Sequence, residues 1–384
     1  MTIQNRNIQI ALPVTGEEEW SAVKEPIFSG WLTQGQKVAE LETYFAERHE
    51  VRHAIAVTSC TTGLHLALAA MEIGPGDEVI VPAFTWIATA NVVLYCGATP
   101  VFVDVSRTTF NLDPEQLASK VTDRTRAVIP VHLFGLCADV DAIRAAVPDG
   151  VKILEDAACA SGARYNDSWA GGLGDAASFS FHPRKSVTTG EGGIVTTNSS
   201  DLAERMNQMR NHGATTSEEQ RHRGPKPYIL PDFNLLGFNY RMTDVQGAIG
   251  LAQLKKLDRF IAERAMWAAW YREQLAEVDW LLQPEEPENG RHGWQSYVTY
   301  VDPQKAPMPR NEIMEHLKVQ GIATRPGTHA VHMTNLYQKR FGYDPDDFPV
   351  ARDCELQTMA IPLHNRMTRE DYQYVVDVLR ALGR

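Results

Sequence analysis

From Ala54 to Asp156 the chain repeats one pattern, and that pattern restricts the folds open to it. Short apolar runs at 54–58, 78–82, 100–103, 127–132 and 151–154 alternate with stretches of helical spacing at 61–71, 86–96, 114–120 and 138–147. A run that is apolar on both faces must be covered on both sides, and intervening helices cover a sheet in that way. The pattern predicts an α/β protein with a mostly parallel sheet. In such sheets ligands bind beyond the carboxyl ends of the strands. Residues just after each run are therefore the first candidates for chemistry.

The flanks are simpler. Residues 1–50 read as an entry arm: a helical pattern over 16–28, a break at 29–35, and an amphipathic helix over 37–49 with Val38, Leu41, Tyr44 and Phe45 on one face. Helical spacing returns at 201–212, a polar loop spans 213–231, and 242–275 reads as a long, interrupted helix. A strand over 297–301 and helices over 311–320 and 369–382 suggest a smaller α+β domain. The expected division is a large ligand-binding domain with its arm over 1–250 and a small C-terminal domain over 251–384, joined by the long helix.

Composition narrows the function classes. With 37 basic and 48 acidic residues the formal charge is -11, which argues against a nucleic-acid or anionic-membrane surface but not against a local anion site. Cys60, Cys96, Cys137, Cys159 and Cys354 are odd in number and dispersed, so they read as free thiols in a reducing compartment. No apolar run approaches the ~18 residues of a membrane span, and the N-terminal stretch lacks the pattern of a leader. The expected location is the cytoplasm.

Five segments carry candidate chemistry, and each has a plain structural alternative. Thr58 to Gly63 (TSCTTG) ends a strand and opens a helix, which makes an anion site or simply a helix cap. Asp156 ends a strand in Glu155-Asp156-Ala157-Ala158 and can face a ligand or cap a helix. Trp86 can stack on a flat ring or belong to the core. Lys185 sits between two strand-like runs in SFSFHPRKSVTTGEGG (178–193), with Ser180 and His182 before it. It can form an imine or stay solvated. Gly237 to Arg241 (GFNYR) precedes the long helix and can be a mere turn. Taken jointly, an anion site, a carboxylate for a ring nitrogen, a stacking aromatic and an imine-forming lysine are the requirements of pyridoxal 5'-phosphate (PLP). Gly172 to Ala177 fits a dinucleotide glycine pattern but precedes a strand where a helix is needed, and His329-x-x-His332 is too little for a metal site.

The motifs SGWLTQGQKV (29–38), TSCTTGLHLAL (58–68), GDEVIVPAFTWIATAN (76–91), LEDAACASGA (154–163), SFSFHPRKSVTTGEGGIVTTN (178–198) and GFNYRMTDVQGAIGLAQLKKLD (237–258) resemble the DegT/DnrJ/EryC1/StrS family of PLP-dependent sugar aminotransferases. The resemblance spans nearly the whole chain. It implies PLP fold type I, as in aspartate aminotransferase, with Lys185 as the Schiff-base lysine and Asp156 as the partner of the pyridine nitrogen. It further implies that Trp86 stacks on the ring, that Cys60, Thr61 and Ser180 cradle the phosphate, and that Asn239 reaches the phosphate of the neighbouring subunit's cofactor. His329 and His332 fall in a substrate-facing stretch. Two positions depart from the family pattern. Cys60 replaces a turn glycine, which requires a negative φ there, and Cys159, near the cofactor's hydroxyl, replaces the usual His or Gln. The family's dehydratase branch carries histidine at the lysine position, and Lys185 argues against that branch.

The resemblance thus implies transfer of an amino group from glutamate to a keto-sugar, nucleotide-linked, in two half-reactions, by a homodimer with shared active sites. The alternatives are an aminotransferase for a cyclitol or free keto-sugar, and a cofactor-binding regulator without turnover.

Overall fold

The apolar runs pair into a seven-stranded sheet in the computed structural model of the chain, which describes residues 6–216, 228, 230–286 and 289–383. The first ten strands are β1 (His53–Val57), β2 (Glu78–Pro82), β3 (Phe84–Thr85), β4 (Thr99–Val103), β5 (Thr125–Val128), β6 (Lys152–Asp156), β7 (Arg164–Tyr165), β8 (Ser168–Trp169), β9 (Ala176–Ser180) and β10 (Gly193–Thr197). The large sheet runs β1-β10-β9-β6-β5-β2-β4. Only β10 is antiparallel to its neighbours, so the other six strands share one carboxyl edge. β2, β9 and β10 are buried at every position, as their apolar and small residues require; Glu78, at the start of β2, is bonded to Thr122 and Arg124. β9 and β10 are an antiparallel pair joined by the loop that carries Lys185.

The predicted elements differ from the observed ones where proline intervenes. The run 127–132 is a strand only to Val128, because Pro130 has no N–H for the ladder. Ile129 still donates to Ile80 O (2.8 Å) and His132 to Asp156 O (3.0 Å). The pattern over 16–28 becomes two helices, Glu17–Ala22 and Lys24–Ser29, with Pro26 in the first turn of the second. The long helix is interrupted at Lys255 and Lys256, giving Asp244–Leu254 and Leu257–Gln274. Most of the predicted polar loop 213–231, namely 217–227 and 229, lies outside the described residues.

The C-terminal sheet orders β11 (Leu281–Leu282), β13 (Tyr297–Val301) and β15 (Thr358–Ile361), all antiparallel, while β12 (Gly290–Arg291) pairs with β7. Its core gathers Tyr271, Trp294, Tyr297, Ile313, Leu317, Tyr372 and Val375. Several segments cross the expected division at 250/251, the β12–β7 pair among them. Ile8 joins this second core, bonding to Gly321 O (2.8 Å) and accepting from Ala323 N (2.9 Å). In the other direction, β14 (His329–Ala330) pairs with β3, and Tyr337, Phe348, Ala351 and Cys354 join the core of the large sheet. Among the described residues no helix is long and apolar enough to cross a membrane.

Candidate active site

The anion turn follows β1. Ser59 caps the helix Cys60–Ala70, and its hydroxyl accepts from Thr62 N (3.1 Å) while its carbonyl accepts from Gly63 N (3.0 Å). Capping and anion binding are therefore compatible. The cap satisfies the later donors and leaves the Cys60 and Thr61 N–H groups with no acceptor among the described residues, at the positive end of the helix. Cys60 is not among the residues with positive φ, so a cysteine fits where a left-handed turn would have demanded glycine. Gly193 does demand glycine. A Cβ there would lie 2.6 Å from Cys60 N and 2.7 Å from Phe179 O, so only a bare Cα lets the turn rest on β10. Ser180 is the register partner of Gly193, which puts its buried hydroxyl beside the turn. It accepts from His182 N (3.3 Å), leaving its own O–H as a donor.

Strand alternation separates the two carboxylates at the end of β6. Glu155 accepts from Gly171 N (2.7 Å), Leu173 N (2.9 Å) and Gly174 N (2.7 Å), and from His132 Nε2 (2.9 Å). His132 Nδ1 accepts from Ala138 N (3.1 Å), which fixes Nε2 as the donor. Glu155 is thus committed to holding loops. Asp156 points the other way, toward the anion turn, with Oδ1 3.9 Å from Cys60 Sγ. Its oxygens accept from Thr89 Oγ1 (2.7 Å) and Ala158 N (3.2 Å). Burial pushes the Asp156 carboxyl up, against the opposing pull of Thr89, the Ala158 N–H, Lys185 and His132. A carboxylate in that condition gains most from a cation set against it, such as a protonated ring nitrogen.

The loop of Lys185 is held from several sides. Lys185 N donates to His182 O (2.9 Å), and Phe181 N donates to Gly192 O (3.0 Å). Gly190 and Gly192 have φ of 84° and 158°, which closes the turn back into β10. Gln295 bonds to Arg184 O (2.9 Å) and Arg264 to Ser186 Oγ (3.3 Å), so the C-terminal unit grips the loop on both sides of the lysine. Lys185 Nζ donates to Cys159 Sγ at 3.0 Å. Burial alone would lower the amine's pKa, but the sulfurs of Cys159 and Cys60 and the Asp156 carboxylate outweigh it, and the amine is raised.

The remaining candidates sit at the rim. Trp86 is 56% exposed and meets His329 edge to face at 5.4 Å, because β14 places His329 opposite Thr85. A ring that large, left open at a strand end, is available to cover a planar ligand. His332 requires a correction. It is fully buried, its Nε2 lies 3.2 Å from Pro345 O, and it packs edge to face on Phe348 at 4.9 Å. The 3-10 turn Val331–Met333 carries it into the core and away from His329, so it has no face toward a substrate. Asn239 is exposed and lies across from Asn211, outside the contacts that join Asp156, Cys60 and Lys185.

Sequence reasoning missed Thr89. Its hydroxyl meets that of Thr85 (3.0 Å) and then Asp156. The only signal was the pair of threonines flanking Trp86, one ending β3 and the other in the first turn of the helix Ala88–Tyr95. The cysteine–lysine contact was also missed, since it joins turns after two different strands.

The residues present fit PLP by their chemistry: an anion-binding helix start, a buried carboxylate in need of a cation, and an amine for the aldehyde. Comparison with known proteins agrees. The profile of the DegT/DnrJ/EryC1/StrS aminotransferase family matches residues 13–380. Over 384 residues the chain is 40% identical to the spore coat polysaccharide biosynthesis protein SpsC of Bacillus subtilis, covering 99% of this chain and 98% of that protein. It is 40% identical to the GDP-perosamine synthase of Caulobacter vibrioides over 375 residues, 97% of each. Among solved structures, the putative sugar aminotransferase Spr1654 of Streptococcus pneumoniae in its PMP form superposes with a TM-score of 0.91 at 28% identity, covering 98% of both chains. Its PLP form superposes at 0.90. The chain belongs to the DegT/DnrJ/EryC1/StrS aminotransferase family and is a PLP-dependent sugar aminotransferase.

Proposed function

We propose that this aminotransferase takes its amino group from glutamate and delivers it to the keto group of a nucleotide-linked sugar, in a site completed by a second copy of the chain. PLP, when bound, supplies the electron sink that lets a Cα–H bond ionise and an amino group change carriers. The chain's own residues do the rest. Lys185 carries the cofactor and, once released, moves the proton. Asp156 keeps the ring nitrogen protonated. The Cys60 and Thr61 N–H groups and the Ser180 hydroxyl hold the phosphate, Trp86 covers the ring, and Cys159 stands beside the cofactor's hydroxyl. Asn239 reaches the partner's phosphate, and His329 faces the sugar. His332 has no part in this reading.

The observation that carries it is the pair of contacts at one sheet edge: Asp156 at 3.9 Å from the first residue of the anion turn, and Lys185 at 3.0 Å from the turn that follows Asp156. They gather the amine, the carboxylate and the anion donors at one spot. The nucleotide linkage draws support from the relative whose name contains a GDP-linked sugar. The shared site draws support from large apolar side chains left exposed on the arm (Trp20, Ile27, Phe28, Leu32) and before the helix Asp244–Leu254 (Phe233, Leu236). The arm meets the start of that helix, since Asp244 N donates to Leu32 O at 3.2 Å. An apolar surface of that kind marks an interface.

The test is a panel of keto-sugars and cyclitol ketones, each sugar with and without a nucleotide, mixed with glutamate and PLP. The expected result is 2-oxoglutarate release and an aminated product with nucleotide-linked sugars. Turnover confined to free sugars or cyclitols would overturn the substrate class, and no 2-oxoglutarate with any acceptor would overturn the donor.

A further inference from the structure

Four of the five cysteines have thiols pushed up by burial: Cys60 well above its ordinary value, Cys96 to about 11, Cys354 to about 12, and Cys137 upward as well. Thiols held in that way are poor nucleophiles. Cys159 differs in its surroundings. It is only partly buried, in the turn closed by Ala160 N to Ala157 O (2.9 Å), and its sulfur touches the Lys185 amine at 3.0 Å. A partly exposed sulfur in direct contact with an amine is placed so that oxidation at sulfur can be followed by S–N bond formation. Both turns are anchored, the first by Ala157 N to Ser178 O (2.9 Å) and the second by Lys185 N to His182 O (2.9 Å). The contact is thus built into the backbone rather than left to two wandering side chains.

We propose that Cys159 and Lys185 form a reversible oxidative modification site, at which a peroxide converts the sulfur–amine contact into a sulfenamide link and silences the lysine. In the first step the Cys159 sulfur attacks one oxygen of the peroxide, and its proton passes to the departing oxygen. An S–O bond forms, the O–O bond breaks, and the sulfur is oxidised by two electrons while the peroxide is reduced to water or an alcohol. In the second step the Lys185 nitrogen attacks that sulfur. An S–N bond forms, the S–O bond breaks, and the hydroxyl leaves as water with a proton from the amine, with no further change of oxidation state. The nitrogen attacks in its neutral form, and oxidation removes one of the groups that raise the amine, the Cys159 sulfur. Two equivalents of a small thiol reverse the link. The first opens the S–N bond and returns the amine, and the second displaces Cys159 from the mixed disulfide.

The inference that this silences the enzyme rests on the reading of Lys185 as the cofactor-bearing lysine; the link itself does not. The test separates them. Apo protein and protein in the PMP form, where the amine is free, are exposed to hydrogen peroxide, then denatured, alkylated and mapped by mass spectrometry. The expected product joins the Cys159 and Lys185 peptides and is lighter than their sum by two hydrogen atoms. It is abolished in Cys159→Ser and in Lys185→Arg, suppressed when PLP occupies the amine, and reversed by dithiothreitol together with the lost activity. A Cys60–Cys159 disulfide, a link carrying an extra oxygen, or oxidation that stops at Cys159 sulfinic acid would each overturn the proposal. A reversible link that leaves activity intact would instead overturn the role of Lys185.

Discussion

At the residue scale the chemistry depends on a carboxylate that is costly to hold alone. Asp156 is buried, and burial raises its pKa above the ordinary value even with Thr89 and the Ala158 N–H bonded to it. For an acid raised on folding, the native state binds the proton more tightly than the unfolded one. Its contribution is therefore most favourable at acid pH and turns unfavourable as pH rises from the unfolded value through the folded one. Above that range the ionised group destabilises the apo protein, and a ring N–H cation would offset that. Asp156→Asn should accordingly leave the apo melting temperature unchanged or higher, while the rise produced by PLP shrinks. Losing one partner of a buried ion pair costs about 3–5 kcal/mol, so PLP affinity should drop by at least about a hundredfold. Melting curves with and without PLP measure both; a lower apo Tm with an undiminished PLP gain would contradict this account. That Asp156, Lys185 and Trp86 lie at or just beyond strand ends was legible in the sequence, because each closes or follows a strand-like run. Thr89 was not, since its bond to Asp156 depends on how the helix after β3 is turned against β6. His332 was misread because spacing alone does not tell which histidine of a pair enters the core.

At the scale of elements, the anion turn depends on how closely the helix Cys60–Ala70 approaches the sheet. Gly63 and Gly193 set that distance: a side chain at Gly63 would strike the Ser178 hydroxyl, and one at Gly193 would strike backbone. Backbone cannot rotate aside. Gly193→Ala should therefore lift the turn off β10, cost about 1–3 kcal/mol of stability and weaken PLP binding markedly. Gly190→Ala is the matched control. A Cβ there meets open space and only the positive φ resists it, at about 1 kcal/mol, with PLP binding retained. Equal losses of PLP affinity in the two variants, read by fluorescence titration, would refute the close-approach argument. Element identity was legible wherever apolar periodicity ran unbroken. Boundaries moved where Pro26 and Pro130 removed a backbone donor, an effect local enough to have been anticipated.

At the scale of the whole molecule, the large sheet delivers four separated stretches of chain to one edge, and the C-terminal unit clamps the lysine loop from outside through Gln295 and Arg264. The C-terminal strand and helices were visible in the sequence. The crossings were not, because Ile8 and the segment from His329 to Cys354 reach across the division by contacts with no local pattern. The proposed function requires that Lys185 be the residue that carries PLP. The direct measurement is borohydride reduction of the PLP-loaded protein, followed by peptide mapping for the lysine that has gained the reduced cofactor. Lys185 should carry it, and Lys185→Ala should show neither the adduct nor the visible absorption. An adduct on another lysine, or visible absorption that survives in Lys185→Ala, would contradict it.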